Sequence, residues 1–319
     1  MSGWLLRRLV ETFLLLLLVS FLVYGLIGLM PGDPIDLMIA GDPRLGAADA
    51  QRLKALAGLD RPLVERWLGW LGRALAGEFG YSRLYSVPAV EVLWPRLLNT
   101  LLLMGISLAL ALVLALPAGV MAALRPRSAL DHAVNLLAFA GFSVPSFWLA
   151  LLLIIVFAVE LGWLPAGGAA AVGGEGGLLE RLRYLVLPVA TLTLLTAGTL
   201  IRFMRAAMLE TLREPFIRTA RAKGVGTWRL VTRHAMRHAM LPLVTVLALQ
   251  LGSLFSGALV VETVFAYLGM GKLIYDAILG NDFNLALLAL MMATLVTLLA
   301  NLLADLCYAW LDPRITYDG

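Results

Sequence analysis

Six long apolar segments constrain this chain more than any other feature of its sequence. A helix needs about 20 predominantly apolar residues to cross the hydrocarbon core of a bilayer. Each segment reaches that length with few charges, and they are residues 9–30, 97–124, 133–159, 185–208, 241–261 and 285–311. The sequence therefore predicts an all-α polytopic membrane protein with six transmembrane helices.

The composition agrees with a membrane protein and excludes several other classes. Of the 319 residues, 61% are hydrophobic and only 14% are charged, against about 45–50% and about 25% in a soluble domain. The isoelectric point is near 9.4, but the basic residues lie in loops beside the apolar segments, so no nucleic-acid partner is predicted. The single cysteine, Cys307, excludes a disulfide within the chain and a cysteine metal site.

Basic residues in the short loops predict the orientation in the membrane. Arginines are concentrated at residues 7–8, 125–127 and 202–237, whereas the segment 262–284 carries one basic residue, Lys272. Cytoplasmic loops carry the excess of Lys and Arg, so both termini are predicted to be cytoplasmic. The first apolar segment is too long for a signal peptide and lacks a small-residue cleavage site after it.

The predicted organisation has four parts. Residues 1–31 hold the N-terminal segment and the first span, and residues 32–96 form an external region with amphipathic helices at 53–59 and 62–75. Residues 97–311 form a five-helix core with a cytoplasmic loop at 209–238, and residues 312–319 are a cytoplasmic tail. Trp67 and Trp70 are predicted interface anchors. Two roles are possible for the external region: it docks a substrate-delivery protein, or it is a purely structural cap.

The cytoplasmic loop is the most strongly basic stretch of the chain. Nine of the 25 Lys and Arg lie between positions 202 and 237. As a helix, the stretch brings Glu214 and Arg218 into ion-pair spacing, and it places Ala220 and Gly224 on one small-residue face. Gly224 is predicted to end this helix because glycine accepts a left-handed turn, and a second helix begins near Thr227. A solvated loop that follows the positive-inside rule is the alternative.

Two sets of polar or helix-breaking residues are predicted to line a pathway. Ser143 and Pro145 interrupt the third span, and freed backbone groups are tolerated where they face protein or water. Gln250, Ser253 and Gly257 share one helical face of the fifth span. A simple proline kink explains the first set as well, and helix packing explains the second.

The sequence contains no convincing catalytic or metal site. The nearest approach to a phosphate-binding loop ends in Lys272-Leu273, without the required hydroxyl. His234 and His238 are four residues apart, but no third ligand is evident. The chain is therefore predicted to be neither an ATPase nor a metalloenzyme.

Several segments resemble one family of membrane proteins. The chain is similar to ABC-transporter permeases of the dipeptide/oligopeptide/nickel family, and the likeness runs from the first span to Arg314. The matching segments are PGDP at 31–34, RTARAKG at 218–224, RHAMRHAMLP at 233–242, VETVFAYLGMGKL at 261–273 and NLLADLCYAWLDPRI at 301–315. Leu268 and Asn284 stand where that family usually has proline.

The resemblance implies a fold, a set of partners and a coupling site. It implies the type I ABC importer permease fold in a bacterial cytoplasmic (inner) membrane, paired with a second homologous permease, two ATP-binding subunits and an extracytoplasmic substrate-binding protein. ATP and Mg²⁺ would be bound by the partner subunits, with no cofactor in this chain. The residues implied to contact the ATP-binding subunit are Glu214, Arg218, Thr219, Ala220, Arg221, Ala222, Lys223 and Gly224.

The function implied is a permease for di- or oligopeptides. A nickel chelate or another small solute is the alternative within the same class. A different class, an ATP-independent secondary transporter, often has inverted repeats and charges in the middle of its spans. No repeat is evident here, and charges in the middle of the spans are scarce.

Overall fold

The computed structural model of the chain describes residues 2–29, 52, 61–168 and 177–311. Within these ranges, the side chains at 2–5, 245, 248–257, 304–305 and 307–311 are not described. The predicted helix at 53–59 and the tail at 312–319 lie outside the described residues.

Helices make up nearly all the regular structure of the described residues, and one isolated bridge joins Tyr81 to Pro88. The α-helices are α1 Ser2–Gly28, α2 Leu63–Leu75, α3 Ala89–Leu124, α4 Ala129–Ser143, α5 Ser146–Leu153, α6 Leu178–Thr211, α7 Pro215–Ala222, α8 Thr227–Arg229, α9 Met236–Val264, α10 Met270–Leu279 and α11 Phe283–Leu311. Two π-helical segments are continuous with their neighbours: π1 Ile154–Glu160 follows α5, and π2 Leu230–Ala235 joins α8 to α9.

Four of the described helices are long and apolar enough to cross a membrane. They are Leu6–Gly28, Ala89–Leu124, Leu178–Thr211 and Phe283–Leu303, and α4 with α5 and π1 makes a fifth if the bent pair is one span. Helix α9 contains the predicted fifth span, but many of its side chains lie outside those described. The all-helical, multi-span fold class is confirmed, and the number of six stays a prediction.

The third predicted span is broken more sharply than a proline kink. Helix α4 and the helix that follows it are bent by 105° at a short break. Pro145 disfavours helical backbone at the preceding residue, and Val144 is extended, with φ −81° and ψ 128°. The break predicted at Ser143 and Pro145 is therefore present in the structure, and the chain changes direction there.

The chain divides into two compact units. The first comprises Met1–Asn99 and Gly269–Val296, and the second comprises Thr100–Leu268 and Thr297–Gly319. In the first unit α2 packs against α1. The Trp67 indole nitrogen donates to the Ser20 hydroxyl at 3.1 Å, and the rings of Trp70 and Tyr24 lie 6.0 Å apart. Trp70 is buried, so its predicted role as an exposed interface anchor is wrong.

A buried carboxylate, Asp282, joins the segment before α11 to the loop before α3 in the first unit. Asp282 accepts a hydrogen bond from the Ser82 hydroxyl at 2.5 Å and one from the Leu84 backbone amide at 3.0 Å. The Asn284 side chain donates to the carbonyl of Tyr81 at 3.0 Å. Asn284, where the resembling family usually has proline, thus ties the start of α11 to the loop before α3.

In the second unit, α4 and α6 approach each other through glycines. A Cβ on Gly198 would lie 2.5 Å from the carbonyl oxygen of Ala138, and a Cβ on Gly141 would lie 2.8 Å from that of Leu194. Contacts this short leave no room for a side chain. The two helices therefore run antiparallel in close contact, which fixes the register between them.

Candidate functional site

The short helix α7 lies in the basic loop, and its ends follow from its sequence. Pro215 is the first helical residue, after an extended Glu214, where a missing N–H costs nothing. Gly224 follows the helix with φ +78°. Its amide donates to the Arg221 carbonyl at 2.9 Å, and the next amide, of Val225, donates to the Ala220 carbonyl at 3.2 Å. This pair of bonds is a Schellman cap, which confirms the predicted stop at Gly224.

One face of α7 is inserted into the core of the second unit. Ile217 is fully buried and Ala220 is 9% exposed, and both belong to an apolar cluster formed with α3, α6, π2 and α9. Ala220 is therefore part of an internal contact. The prediction that Ala220 and Gly224 form one exposed small-residue face is wrong for Ala220, because the helix uses that position to pack against its own spans.

The opposite face of α7 is exposed and basic. Seven of the eight predicted coupling residues are exposed, namely Glu214, Arg218, Thr219, Arg221, Ala222, Lys223 and Gly224. We call Arg218, Thr219, Arg221, Ala222, Lys223 and Gly224 the exposed face of α7. It presents three cations to solvent beside a glycine with no atom within 4 Å of a Cβ placed on it.

The predicted ion pair between Glu214 and Arg218 does not form. The Arg218 guanidinium instead donates from Nε and Nη2 to the carbonyl of Arg213, at 3.3 and 3.2 Å. That carbonyl belongs to the turn between α6 and α7, where a backbone acceptor is open to a side chain. Arg218 thus fastens α7 to the end of α6.

A second contact joins α7 to the start of α9. The rings of Phe216 and His238 lie 4.7 Å apart. The segment after Gly226 is helical from Thr227 onward, as predicted, and runs through π2 directly into α9. Leu230 and Val231 of π2 lie in the same apolar cluster as Ile217. Helix α7 and the segment that leads into α9 therefore pack against the same cluster.

The predicted pathway residues are only partly described. Ser143 and Pro145 are exposed at the break between α4 and α5. Gln250, Ser253 and Gly257 lie in α9, but nothing is described of their side chains. That these two sets of residues line a pathway therefore stays a prediction.

Sequence reasoning missed a partly buried ion pair beside the loop between α3 and α4. The Arg205 guanidinium of α6 donates from Nε to Asp131 Oδ1 at 2.5 Å and from Nη2 to Oδ2 at 2.7 Å. Asp131 also accepts from the Arg127 amide at 2.9 Å and from the Asn135 side chain at 2.6 Å. The partners are 74 residues apart, so local spacing carried no signal of this pair.

No group of three His, Cys, Asp or Glu side chains that could hold a metal occurs among the described residues. Several apolar helices long enough to cross a membrane, with an exposed basic helix between two of them along the chain, are the features of a polytopic membrane protein. The chain belongs to the family of binding-protein-dependent transport system inner membrane components, whose model matches residues 115–317. It is therefore a multi-pass inner-membrane subunit of an ABC importer and not an enzyme, and it acts with other subunits of the transporter.

Curated relatives match almost the entire chain. It is 36% identical over 318 residues to the oligopeptide transport system permease protein AppB of Bacillus subtilis, covering 99% of this chain and all of the relative. It is 35% identical over 317 residues to the glutathione transport system permease protein GsiC of Escherichia coli K12, with 99% and 100% covered. The resemblance to peptide-family ABC permeases is confirmed.

Solved structures show the same fold. A chain of the MetNI methionine ABC transporter in an inward-facing conformation matches with a TM-score of 0.57 at 21% identity, covering 70% of this chain and 98% of that one. At this identity the match concerns the fold alone. The predicted ABC importer permease fold is thereby confirmed.

Proposed function

We propose that this chain forms the translocation path of an ATP-driven importer for di- or oligopeptides. The observation that carries the proposal is its full-length similarity to permeases named for oligopeptides and for glutathione. A nickel chelate or another small solute is the alternative cargo. Uptake assays with purified components distinguish these substrates.

We propose the assembly implied by the family resemblance. This chain pairs with a second homologous permease, two ATP-binding subunits carry ATP and Mg²⁺, and an extracytoplasmic binding protein delivers the cargo. The four-part organisation given above, with both termini and the 209–238 loop in the cytoplasm, belongs to the same proposal.

In this proposal α7 is the coupling helix. Its exposed face docks on an ATP-binding subunit, and the buried side chains of Ile217 and Ala220 pass the movement to the spans. Interfaces and packed cores switch between discrete arrangements rather than deforming smoothly. Closure of the ATP-binding subunits would therefore move α7 together with the ends of α6 and α9, which share its apolar cluster.

We place the translocation path beside the break between α4 and α5. Ser143 and Pro145 are exposed there, and a break in a span is tolerated where it lines a cavity or is buried in protein. Gln250, Ser253 and Gly257 of α9 complete the proposed lining.

Two glycines near α7 provide a matched test of coupling. A Cβ on Gly224 or on Gly226 meets no atom within 4 Å, but only Gly224 has a positive φ. Valine is strained at positive φ because it is β-branched. Gly224→Val should therefore lower the number of peptides imported per ATP hydrolysed in proteoliposomes, whereas Gly226→Val should not. Equal coupling ratios in both variants would contradict the proposal.

The same proteoliposomes test the class of transporter. Purification of the chain from its native membrane should recover a second permease and ATP-binding subunits, identified by mass. Peptide uptake should require ATP and survive ionophores that abolish ion gradients. Uptake by the isolated chain, driven by an ion gradient without ATP, would establish a secondary transporter instead.

Labelling from the two sides of the membrane tests the orientation. In a Cys307→Ser background, Thr219→Cys on α7 and Leu279→Cys on α10 each introduce one exposed thiol. In right-side-out vesicles, a membrane-impermeant thiol reagent should label position 279 but reach position 219 only after the vesicles are opened. The reverse pattern would invert the proposed topology.

A further inference from the structure

Arg202 of α6 is an exposed cation that the proposed mechanism does not use. One turn later Arg205 is paired with Asp131. The Arg202 guanidinium instead lies over the ring of Phe142, with Cζ 5.5 Å from the ring centroid, and both residues are exposed. In the described parts of the chain, no carboxylate lies within ion-pair distance of Arg202.

The side chain of Arg202 points toward the interior of the span. Residues 184–201 of α6 carry no charge, and 18 residues of helix measure about 27 Å. A Cβ on Gly198 of α6 would lie 3.2 Å from the backbone nitrogen of Phe142, so Phe142 lies near the level of Gly198. That level is about 6 Å into the span from the Cα of Arg202. Helical side chains lean toward the N-terminus, which for Arg202 is also the direction of the membrane interior.

A charge at this depth restricts what can surround it. A charged side chain facing hydrocarbon is costly, so such residues face water-filled cavities or protein. Helix α4 ends at Ser143, the residue after Phe142, and the break before α5 follows. Irregular backbone at membrane depth has the same requirement. Both features therefore require protein or a water-filled cavity, rather than lipid, beside Phe142 and Arg202.

We propose that Arg202 binds a carboxylate of the peptide in the translocation path, with the Phe142 ring holding the guanidinium in place. This inference rests on the proposed function, because every peptide with a free C-terminus carries a carboxylate. The planar guanidinium donates two parallel hydrogen bonds to a carboxylate. None of the other residues proposed to line the path carries a charge.

The test compares a peptide that has the carboxylate with one that lacks it. Uptake of trialanine and of trialanine amide is measured in proteoliposomes that hold the complete importer and its binding protein, for the native chain and for Arg202→Gln. The ratio of kcat/KM for acid over amide is taken for each. Dividing the ratio for the native chain by the ratio for Arg202→Gln cancels any preference of the binding protein, because both preparations contain that protein. Arg125→Gln, at an exposed loop arginine, is the matched control.

Arg202→Gln should lower the acid-over-amide ratio at least about tenfold, as for the loss of a hydrogen bond to a charged group. Arg202→Lys should retain part of the preference, and Arg125→Gln should retain all of it. An equal loss for acid and amide would assign Arg202 to structure or to a carboxylate of the second permease, and unchanged uptake would give it no role. Either result overturns the inference while leaving peptide transport intact. No uptake of either peptide by the native importer would overturn the proposed function itself.

Discussion

Replacing Ile217 with alanine tests whether α7 is held by one buried side chain. Isolated helices shorter than about 12–15 residues are marginal in water, and α7 has eight residues. Only Ile217 and Ala220 of α7 are buried. The stability of α7 therefore comes chiefly from the Ile217 side chain, which is fully enclosed by the apolar cluster.

The expected loss of stability follows from the number of side-chain atoms that the substitution removes. Truncating a buried isoleucine to alanine costs about 2–5 kcal/mol. Since the long spans keep their own packing, this cost falls mainly on the local opening of α7. A loss of about 2 kcal/mol raises the population of the open state roughly 30-fold.

Hydrogen exchange measured by mass spectrometry on the detergent-solubilised chain reports this opening. Ile217→Ala should speed exchange of the amides of residues 217–225 by at least about 30-fold, with little change in α6. Thr219→Ala, at an exposed position of the same helix, is the control and should leave exchange nearly unchanged. Equal exchange rates in the native chain and Ile217→Ala would refute the view that this side chain holds α7 on the spans.

Two further pairs of substitutions test the packing of α4 on α6. Gly198→Ala should lower the melting temperature, because its Cβ would lie 2.5 Å from the Ala138 carbonyl oxygen. The control Gly105→Ala, with no atom within 4 Å of its Cβ, should be neutral or slightly stabilising. Similar melting temperatures for the two variants would refute the close contact. Asp131→Asn should destabilise the chain by less than the roughly 3–5 kcal/mol of a fully buried pair, because the Arg205 side chain is 25% exposed. Adding Arg205→Gln should recover part of that loss in denaturation assays, and strict additivity would refute a direct pair.

The sequence predicted those features that depend on local chemistry. The apolar segments predicted the membrane class. The break at Pro145 followed from the restriction that proline places on the preceding residue, and the end of α7 followed from the left-handed backbone at Gly224. Each of these depends on a residue and its near neighbours along the chain. Proline and glycine are not sufficient for a break, however, because Pro188 lies inside α6 and Pro242 lies inside α9.

Features that depend on distant partners could not be predicted. The pair of Asp131 and Arg205 joins positions 74 residues apart, and the burial of Ala220 requires the cluster formed by α3, α6 and α9. Ile217 and Ala220 are spaced by three, which is a signal for one buried helical face, but the arginines between and beside them favour an exposed helix. Arg202 was counted only as a basic residue, because its direction depends on the register between α4 and α6.

Cross-linking from α7 tests most directly the central claim that its exposed face docks on an ATP-binding subunit. In the Cys307→Ser background, native membranes with Thr219→Cys are treated with a short thiol-to-amine cross-linker, and adducts are identified by mass. Leu279→Cys on α10 is the control, since the proposed topology places it on the other side of the membrane. The account predicts an adduct of Thr219→Cys with the ATP-binding subunit and none from position 279. An intact complex in which position 219 gives no such adduct would contradict it.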